Sequence, residues 1–495
     1  MKIQSLREQW LSDIPSNVLA GLTSSFALVP ECIAFALVAH VNPLMGLYGA
    51  FIICALTAIF GGRPGMISGA AGSMAVVIVA LVVEHGVQYL LATVVLSGAL
   101  MMLFGLLRLG KLIRMVPHPV MIGFVNGLAI IIAMAQLEHF KRATSQGDVW
   151  LHGTPLVIMC ALVALTMLIV YLLPRVTKAV PPALVAIVGV GLLSQIMHLP
   201  TRTLGDMAHI AGAFPSFHLP QIPFDLETFR IVFPYALLMA IVGLLETLLT
   251  FNLTDEITET RGRPDRECLA LGVSNVVSGL FGGMGGCAMI GQTMINLSSG
   301  GRTRVSGATS GIMILLFILF LSPLIERIPL AALVGVMFIV AQQTFAWGSL
   351  RVLGKVPRND ALVIIAVTVI TVFTDLAIAV LCGIVIAALN FAWLHAREIR
   401  TDVKNSNEGA RTYVLHGTLF FASTANFQDL FQPQTDAEEV IVDCQHLHVA
   451  DHSAIVAFET LKERYQKAGR SLRFVNLSSR NQHILKRAGV SLVNA

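Results

Sequence analysis

The sequence predicts a polytopic α-helical membrane protein, with fourteen transmembrane segments in a seven-plus-seven inverted repeat and a small cytoplasmic α/β domain after them. Composition is the first support. The chain is 55% hydrophobic and 13% charged, with a mean hydropathy of +0.77, whereas soluble chains carry about a quarter charged residues. Charge placement is the second. With the start of the chain inside, nineteen Lys and Arg fall in inner segments and five (Lys141, Arg142, Arg202, Arg230 and Arg327) in outer ones. That bias orients the protein with both termini cytoplasmic. The third is a pair of glycine-broken apolar stretches, Gly69-Ala70-Ala71-Gly72-Ser73-Met74-Ala75 and Gly282 through Gly283, Gly285, Gly286 and Gly291 to Gln292 and Thr293.

The elements follow in order. Residues 1–16 mix Lys2, Arg7, Glu8 and Asp13 with Trp10 and Leu11, without a signal-peptide cleavage pattern, and read as a cytoplasmic amphipathic lead-in. The transmembrane domain occupies 17–396, with spans at 17–38, 43–60, 69–84, 88–107, 118–137, 154–173, 180–198, 230–254, 267–282, 288–298, 304–325, 329–345, 359–374 and 376–395. Runs such as Val18–Val38 and Leu156–Leu173 approach or reach the length that crosses a bilayer core. The third and tenth are too short to cross alone as helices. Each is third in its half, and an odd number of spans per half turns the halves in opposite senses. Broken helices in corresponding positions of two halves point to a transporter's binding site. Amides left free at such helix starts suit an anion.

Beyond a linker at 397–410, residues 411–495 read as a soluble α/β domain. Its strands are expected at Thr412–Phe421, Glu439–Asp443 and Leu472–Asn476, with helices at Ser453–Lys467 and near Arg480–Ala488.

Several classes are excluded. The seven cysteines form no CxxC pair and no cluster with histidine at metal-ligand spacing, and most read as small core residues. No Walker-type G-x-x-x-x-G-K-[ST] segment supports ATP-driven pumping. The net charge of +4 comes from loop residues and suggests no nucleic-acid partner. Neither enzyme chemistry nor a resident cofactor is expected.

Four stretches resemble one family. Val29-Pro30-Glu31-Cys32-Ile33-Ala34-Phe35-Ala36, then Asn42-Pro43-Leu44-Met45-Gly46-Leu47-Tyr48, is similar to the P-[EQ]-x-x-A-[FY]-A … P-x-x-G-L-Y signature of the SulP family of sulfate-permease-type anion transporters. Glu246-Thr247-Leu248-Leu249-Thr250 with Thr254-Asp255-Glu256 resembles its eighth span, and Gly300 to Gly307 the loop after its tenth. The tail resembles a STAS domain. The resemblance implies a core domain (spans one to four and eight to eleven), a gate domain (five to seven and twelve to fourteen), homodimers, and elevator-type movement of core past gate. Spans three and ten would then face each other, helix start to helix start, around the anion.

Carried onto this chain, the resemblance gives an anion site of Glu31, Ala71, Gly72, Ser73, Gly291, Gln292 and Thr293. Gln292 departs from the arginine found there in many members, so dipoles, amides and neutral side chains would hold the anion. Glu31 follows Pro30, which is expected to break the first span. Glu246 and Thr250, four apart on one helix face, would serve the coupling ion. A carboxylate within an apolar span marks an ion pathway, and removal from water favours the protonated form of such a group. That favours co-transported H+ over Na+. Asp255, Glu256, Arg261, Arg263 and Arg266 read as a solvated or interface network. Ser453 falls where soluble STAS proteins present a phosphorylatable serine, although Asp451 or Ser453 as a plain helix cap is the simpler reading.

The expected protein is a secondary active transporter in a bacterial-type inner or plasma membrane. It would carry a small anion (sulfate, bicarbonate or dicarboxylate), with lipid, a second copy and a cytoplasmic STAS partner as its other contacts. A membrane-anchored anion sensor signalling through the tail and an anion channel are the alternatives.

Overall fold

In the computed structural model the described residues are 6–108, 117–144, 147–176, 181–206, 212–223, 225–352, 358–373, 376–396, 398–405, 411–479 and 481–483. The chain divides into two compact units, residues 1–382 and 383–495.

The first unit opens with α1 (Leu6–Leu11), α2 (Ile14–Val38) and α3 (Pro43–Phe60). Then come β1 (Ser68–Ala70), α4 (Gly72–His85), α5 (Val87–Leu106) and α6 (His118–Gln136). A hairpin of β2 (Lys141–Thr144) and β3 (Gly147–Trp150), absent from the sequence expectation, precedes α7 (Thr154–Val176) and α8 (Pro182–Ile196). The second run is α9 (Leu226–Thr258), α10 (Pro264–Leu280), β4 (Gly286–Ala288), α11 (Ile290–Ser298), α12 (Arg304–Phe320) and the short α13 (Ser322–Glu326). It ends with α14 (Leu330–Thr344), α15 (Trp347–Val352) and α16 (Arg358–Phe373), and α17 (Leu376–Ala396) runs from the first unit into the second.

A helix lies in each stretch where a span was expected. Among the described residues, six helices (α2, α3, α5, α6 with its 3-10 extension, α7 and α9) are long and apolar enough to cross a membrane. The chain is an integral membrane protein. Lipid offers no hydrophobic drive between helices, so close backbone approach through small residues matters more. At the α5–α10 crossing, a Cβ on Gly98 would stand 2.5 Å from the Gly272 carbonyl oxygen. Two packing groups result: α2, α3, α4, α5, α9, α10, α11 and α12 in one, and α6, α7, α8, α14 and α16 in the other.

Two expectations are corrected here. Pro30 does not break the first span: α2 runs unbroken from Ile14 to Val38 around it. Proline removes a single donor, and the packed neighbours of α2 hold the remaining turns. The stretch 397–410 is not linker throughout, because Arg400–Asn405 forms strand β5. Its polar sequence hid an edge strand, which pairs on one side only.

The second unit carries a four-stranded sheet in the order β5-β6-β7-β8, with β6 (Arg411–Leu419), β7 (Glu439–Val449) and β8 (Ser471–Val475) parallel and β5 antiparallel at the edge. Helices α18 (Thr424–Asp429) and α19 (His452–Lys467) complete it. Its core gathers Leu415, Val440, Val442, Phe427, Phe458 and Leu461. Most of the helix expected near Arg480–Ala488 lies outside the described residues, although 481–483 are helical.

Asp436 anchors this unit from within. Its carboxylate accepts from Tyr413 Oη at 2.8 Å and from Tyr465 Oη, and Arg411 Nη1 pairs with it at 2.8 Å. Burial, then the hydrogen bond and charge of Asp436, push the Tyr413 phenol up to about 12 and Tyr465 higher still. An unfolded tyrosine ionises near ~10. The stability these phenols contribute is therefore complete below pH ~10 and is lost as pH rises through the folded value of about 12. A tyrosinate titration of the full chain is expected to lose one late-ionising phenol in Tyr413→Phe.

Candidate functional site

The two glycine-broken stretches meet. β1 and β4 pair antiparallel in the register Ser68↔Ala288, Gly69↔Cys287 and Ala70↔Gly286. Each strand leads within two residues into a half-length helix, α4 from Gly72 and α11 from Ile290. Residues 68–70 and 286–288 are all buried. Irregular backbone at this depth must satisfy its polar groups within the protein, and it does so with few side chains. Asn275 donates to the Gly286 carbonyl and accepts from the Gly286 amide, both at 3.0 Å. Thr247 Oγ1 accepts from the Ala288 amide at 3.1 Å, and the Met289 amide donates to the Ile67 carbonyl at 2.9 Å.

Both helix starts lack side-chain caps. Ala71 and Met289, the cap residues, are extended, and neither bonds a first-turn amide through its side chain. The first-turn amides of an α-helix have no intrahelical acceptor and carry partial positive charge. Ala71, Gly72 and Ser73 thus stand at one start, with Gly291 and Gln292 at the other. Ser73 and Gln292 are buried, whereas Gly291 is exposed and a Cβ there would meet nothing within 4 Å.

Glu246 reaches this crossing from α9. Its Oε2 accepts from Ser73 Oγ at 2.7 Å and from Cys287 Sγ at 2.8 Å. Thr250, one turn on, donates to the Glu246 backbone carbonyl at 2.8 Å and lies 3.4 Å from the Ala288 carbonyl. The Gln292 side chain lies beside Glu31 on α2. Thr293 differs from expectation. Its hydroxyl accepts from the Ile67 amide at 3.0 Å and lies 3.3 Å from the Ile67 carbonyl, while its own amide bonds the Met289 carbonyl. It fastens the two broken stretches together and offers the cradle no free donor.

Below the crossing, Arg63 holds the end of α9. It pairs through Nε with Asp255 at 3.2 Å and donates to Thr260 Oγ1 and the Thr254 carbonyl, both at 2.9 Å, and to Thr258 Oγ1. Half-buried Asp255 therefore belongs to a structural network, with buried Arg63 as its ion-pair partner. Glu267 Oε2 accepts from the Gly62 and Arg63 amides at 2.6 and 3.0 Å. In the tail, Asp451 caps α19 by accepting from the Ala454 amide at 3.0 Å, and half-buried Ser453 follows inside the helix.

Sequence reasoning missed Cys287, Asn275 and Arg63. Cys287 directly follows Gly285-Gly286, so its place in the glycine break was the available signal. Asn275 and Arg63 gave none, since their partners lie elsewhere in the chain.

The fold defined by these paired broken helices is that of membrane anion transporters. The transmembrane domain of a cyanobacterial bicarbonate transporter, BicA, matches at a TM-score of 0.66 with 31% identity, covering 75% of this chain and 98% of that one. Murine Solute Carrier 26 family member A9, an anion transporter solved in an inward-facing state, shares the fold at a TM-score of 0.83 and 16% identity, covering 98% of this chain and 89% of that one. YbaR of Bacillus subtilis (strain 168), named as a candidate sulfate transporter, is 40% identical over 97% of this chain and 98% of its own length. A family model described as the sulfate permease family matches residues 14–368, and one described as the STAS domain matches 403–494. The chain belongs to the sulfate permease family and carries a C-terminal STAS domain.

Proposed function

We propose that the protein is a secondary active transporter that takes up a small anion together with a proton. The observation that carries this reading is the bond between Ser73, at the start of α4, and Glu246, an acid set in an apolar helix. It puts a group able to carry H+ one hydrogen bond away from a helix start suited to an anion. Gly72, Ser73, Gly291 and Gln292 would bind the anion between the two starts, with Glu31 setting selectivity through Gln292. Glu246 would carry the proton, and Thr250 would hold the α9 turn beneath it. Relatives named for sulfate and for bicarbonate support substrates of that class, with dicarboxylates the third candidate.

In this reading fourteen spans form an inverted repeat in the plasma membrane, with both termini cytoplasmic. The group containing α2–α5 and α9–α12 moves as the core against a gate of the remaining helices, in an elevator cycle within a homodimer. The STAS domain is the site for a cytoplasmic partner.

Purified protein in proteoliposomes tests this with labelled sulfate, bicarbonate and fumarate under imposed pH or sodium gradients. An inward proton gradient is expected to drive saturable accumulation, and Glu246→Gln to reduce uphill uptake to background. Sodium dependence without pH dependence defeats the proton assignment. Binding without flux points to a sensor, and flux that does not saturate to a channel.

A further inference from the structure

We propose that Ser73 is handed between Glu246 and the anion, so that a proton must bind before the anion does, and that Cys287 is the positioning residue for this exchange. The inference rests on the site described above and adds an order of events to it.

Oε2 of Glu246 accepts two donors, one from each broken stretch: Ser73 Oγ at 2.7 Å and Cys287 Sγ at 2.8 Å. A serine hydroxyl has one proton to donate and two lone pairs that accept. In the conformation seen, that single proton is committed to the carboxylate, and Ser73 is buried beside the uncapped start of α4. A hydrogen bond to an ionised acceptor is roughly twice as strong as a neutral one. While Glu246 is ionised, it withholds the Ser73 hydroxyl from an anion at the helix start.

Protonation reverses the direction of that bond. A proton from solution joins Oε2, the new O–H donates to a lone pair on Ser73 Oγ, and the serine hydroxyl turns its own proton toward the cradle. One O–H bond forms on Glu246 as one breaks in the hydronium that delivers the proton, and the Ser73 O–H bond stays intact. The anion gains a neutral hydroxyl donor next to the free amides of α4 and loses a carboxylate from its neighbourhood.

Cys287 keeps this geometry. It sits in β4 opposite Gly69, so the strand pairing fixes its thiol, which in turn holds the carboxylate over Ser73. Apart from Cys287, the titratable and charged groups on the elements packed around Glu246 lie elsewhere. α4 bears Glu84 and His85 at its other end, α5 bears Tyr89 in its first turn, and α10 bears Asp265, Arg266, Glu267 and Cys268 near its start. α11 has no titratable residue. α9 itself bears Glu227, Arg230 and Tyr235 toward its start and Asp255, paired with Arg63, and Glu256 toward its end, while Glu31 of α2 lies beside Gln292.

Sulfate binding to the purified full chain, compared between about pH 6 and about pH 8.5, tests the hand-off. Unaltered protein is expected to bind more tightly at the lower pH. Ser73→Ala should weaken binding about tenfold at low pH, the worth of a hydrogen bond to a charged group, and much less at high pH. Ser73→Thr, which keeps a hydroxyl, should restore the low-pH affinity. Glu246→Gln should bind at high pH as tightly as the unaltered protein does at low pH. Cys287→Ala should shift the pH profile and Cys287→Ser should return it.

Equal weakening of Ser73→Ala at both pH values overturns the hand-off, as does a pH-independent affinity in the unaltered protein. Either result alongside pH-driven uptake in proteoliposomes leaves the transport reading intact. Absence of pH-driven uptake for every anion tried is what removes that reading.

Discussion

Gly286→Ala is expected to abolish anion uptake and to lower the thermal transition of the purified protein sharply. A Cβ at this position would lie 2.1 Å from the Gly69 carbonyl oxygen and 2.9 Å from Ile53 Cδ1. The nearest atom is backbone in the paired strand, so no rotamer change relieves the clash. Over-packing a filled interior costs about 1–3 kcal/mol. Here the strands would also have to part, releasing the two bonds that Asn275 makes to Gly286. The control is Gly291→Ala, where the added carbon meets open space. That variant is expected to melt with the unaltered protein. If Gly286→Ala melts there as well, the close crossing of β1 and β4 is not needed for the fold.

Arg304→Met is expected to destabilise the membrane unit by more than about 3 kcal/mol. The guanidinium is buried and donates to four acceptors: Gln9 Oε1 at 2.9 Å, and the carbonyls of Ala58, Ile59 and Gly61 at 2.8, 3.1 and 2.7 Å. Those three carbonyls end α3, where a helix has unpaired acceptors and partial negative charge. Methionine fills the volume but supplies no donor, and each buried acceptor left bare costs about 1–3 kcal/mol. Arg304→Lys should recover only part of the loss, because an ammonium cannot reproduce the planar fork. Melting curves of the three proteins decide the matter. Equal curves for methionine and arginine would show that the fork contributes nothing to α3.

Helix positions were legible because hydropathy and turn residues mark them, and the two broken stretches because glycine is so dense there. Their pairing was not. Ser68–Ala70 and Gly286–Ala288 are three residues each, of small side chains, with none of the alternation that announces a strand. Glu246 stood out as an acid among leucines, while Cys287, which holds it, read as filler. Thr293 lay at the expected address but faces Ile67 instead of the cradle. Residue type states what a side chain can bond, and only packing decides which partner it meets. Pro30 makes the same point: its missing donor was legible, and the tolerance of α2 for the loss was not.

The ladder between β1 and β4 constrains how the protein works. With Asn275, Thr247 and Thr293 riveting it from three directions, prising the half-helices apart would strip peptide groups of their partners where water cannot replace them. The cradle is therefore a single cassette. Its two half-helices are expected to shift together or not at all.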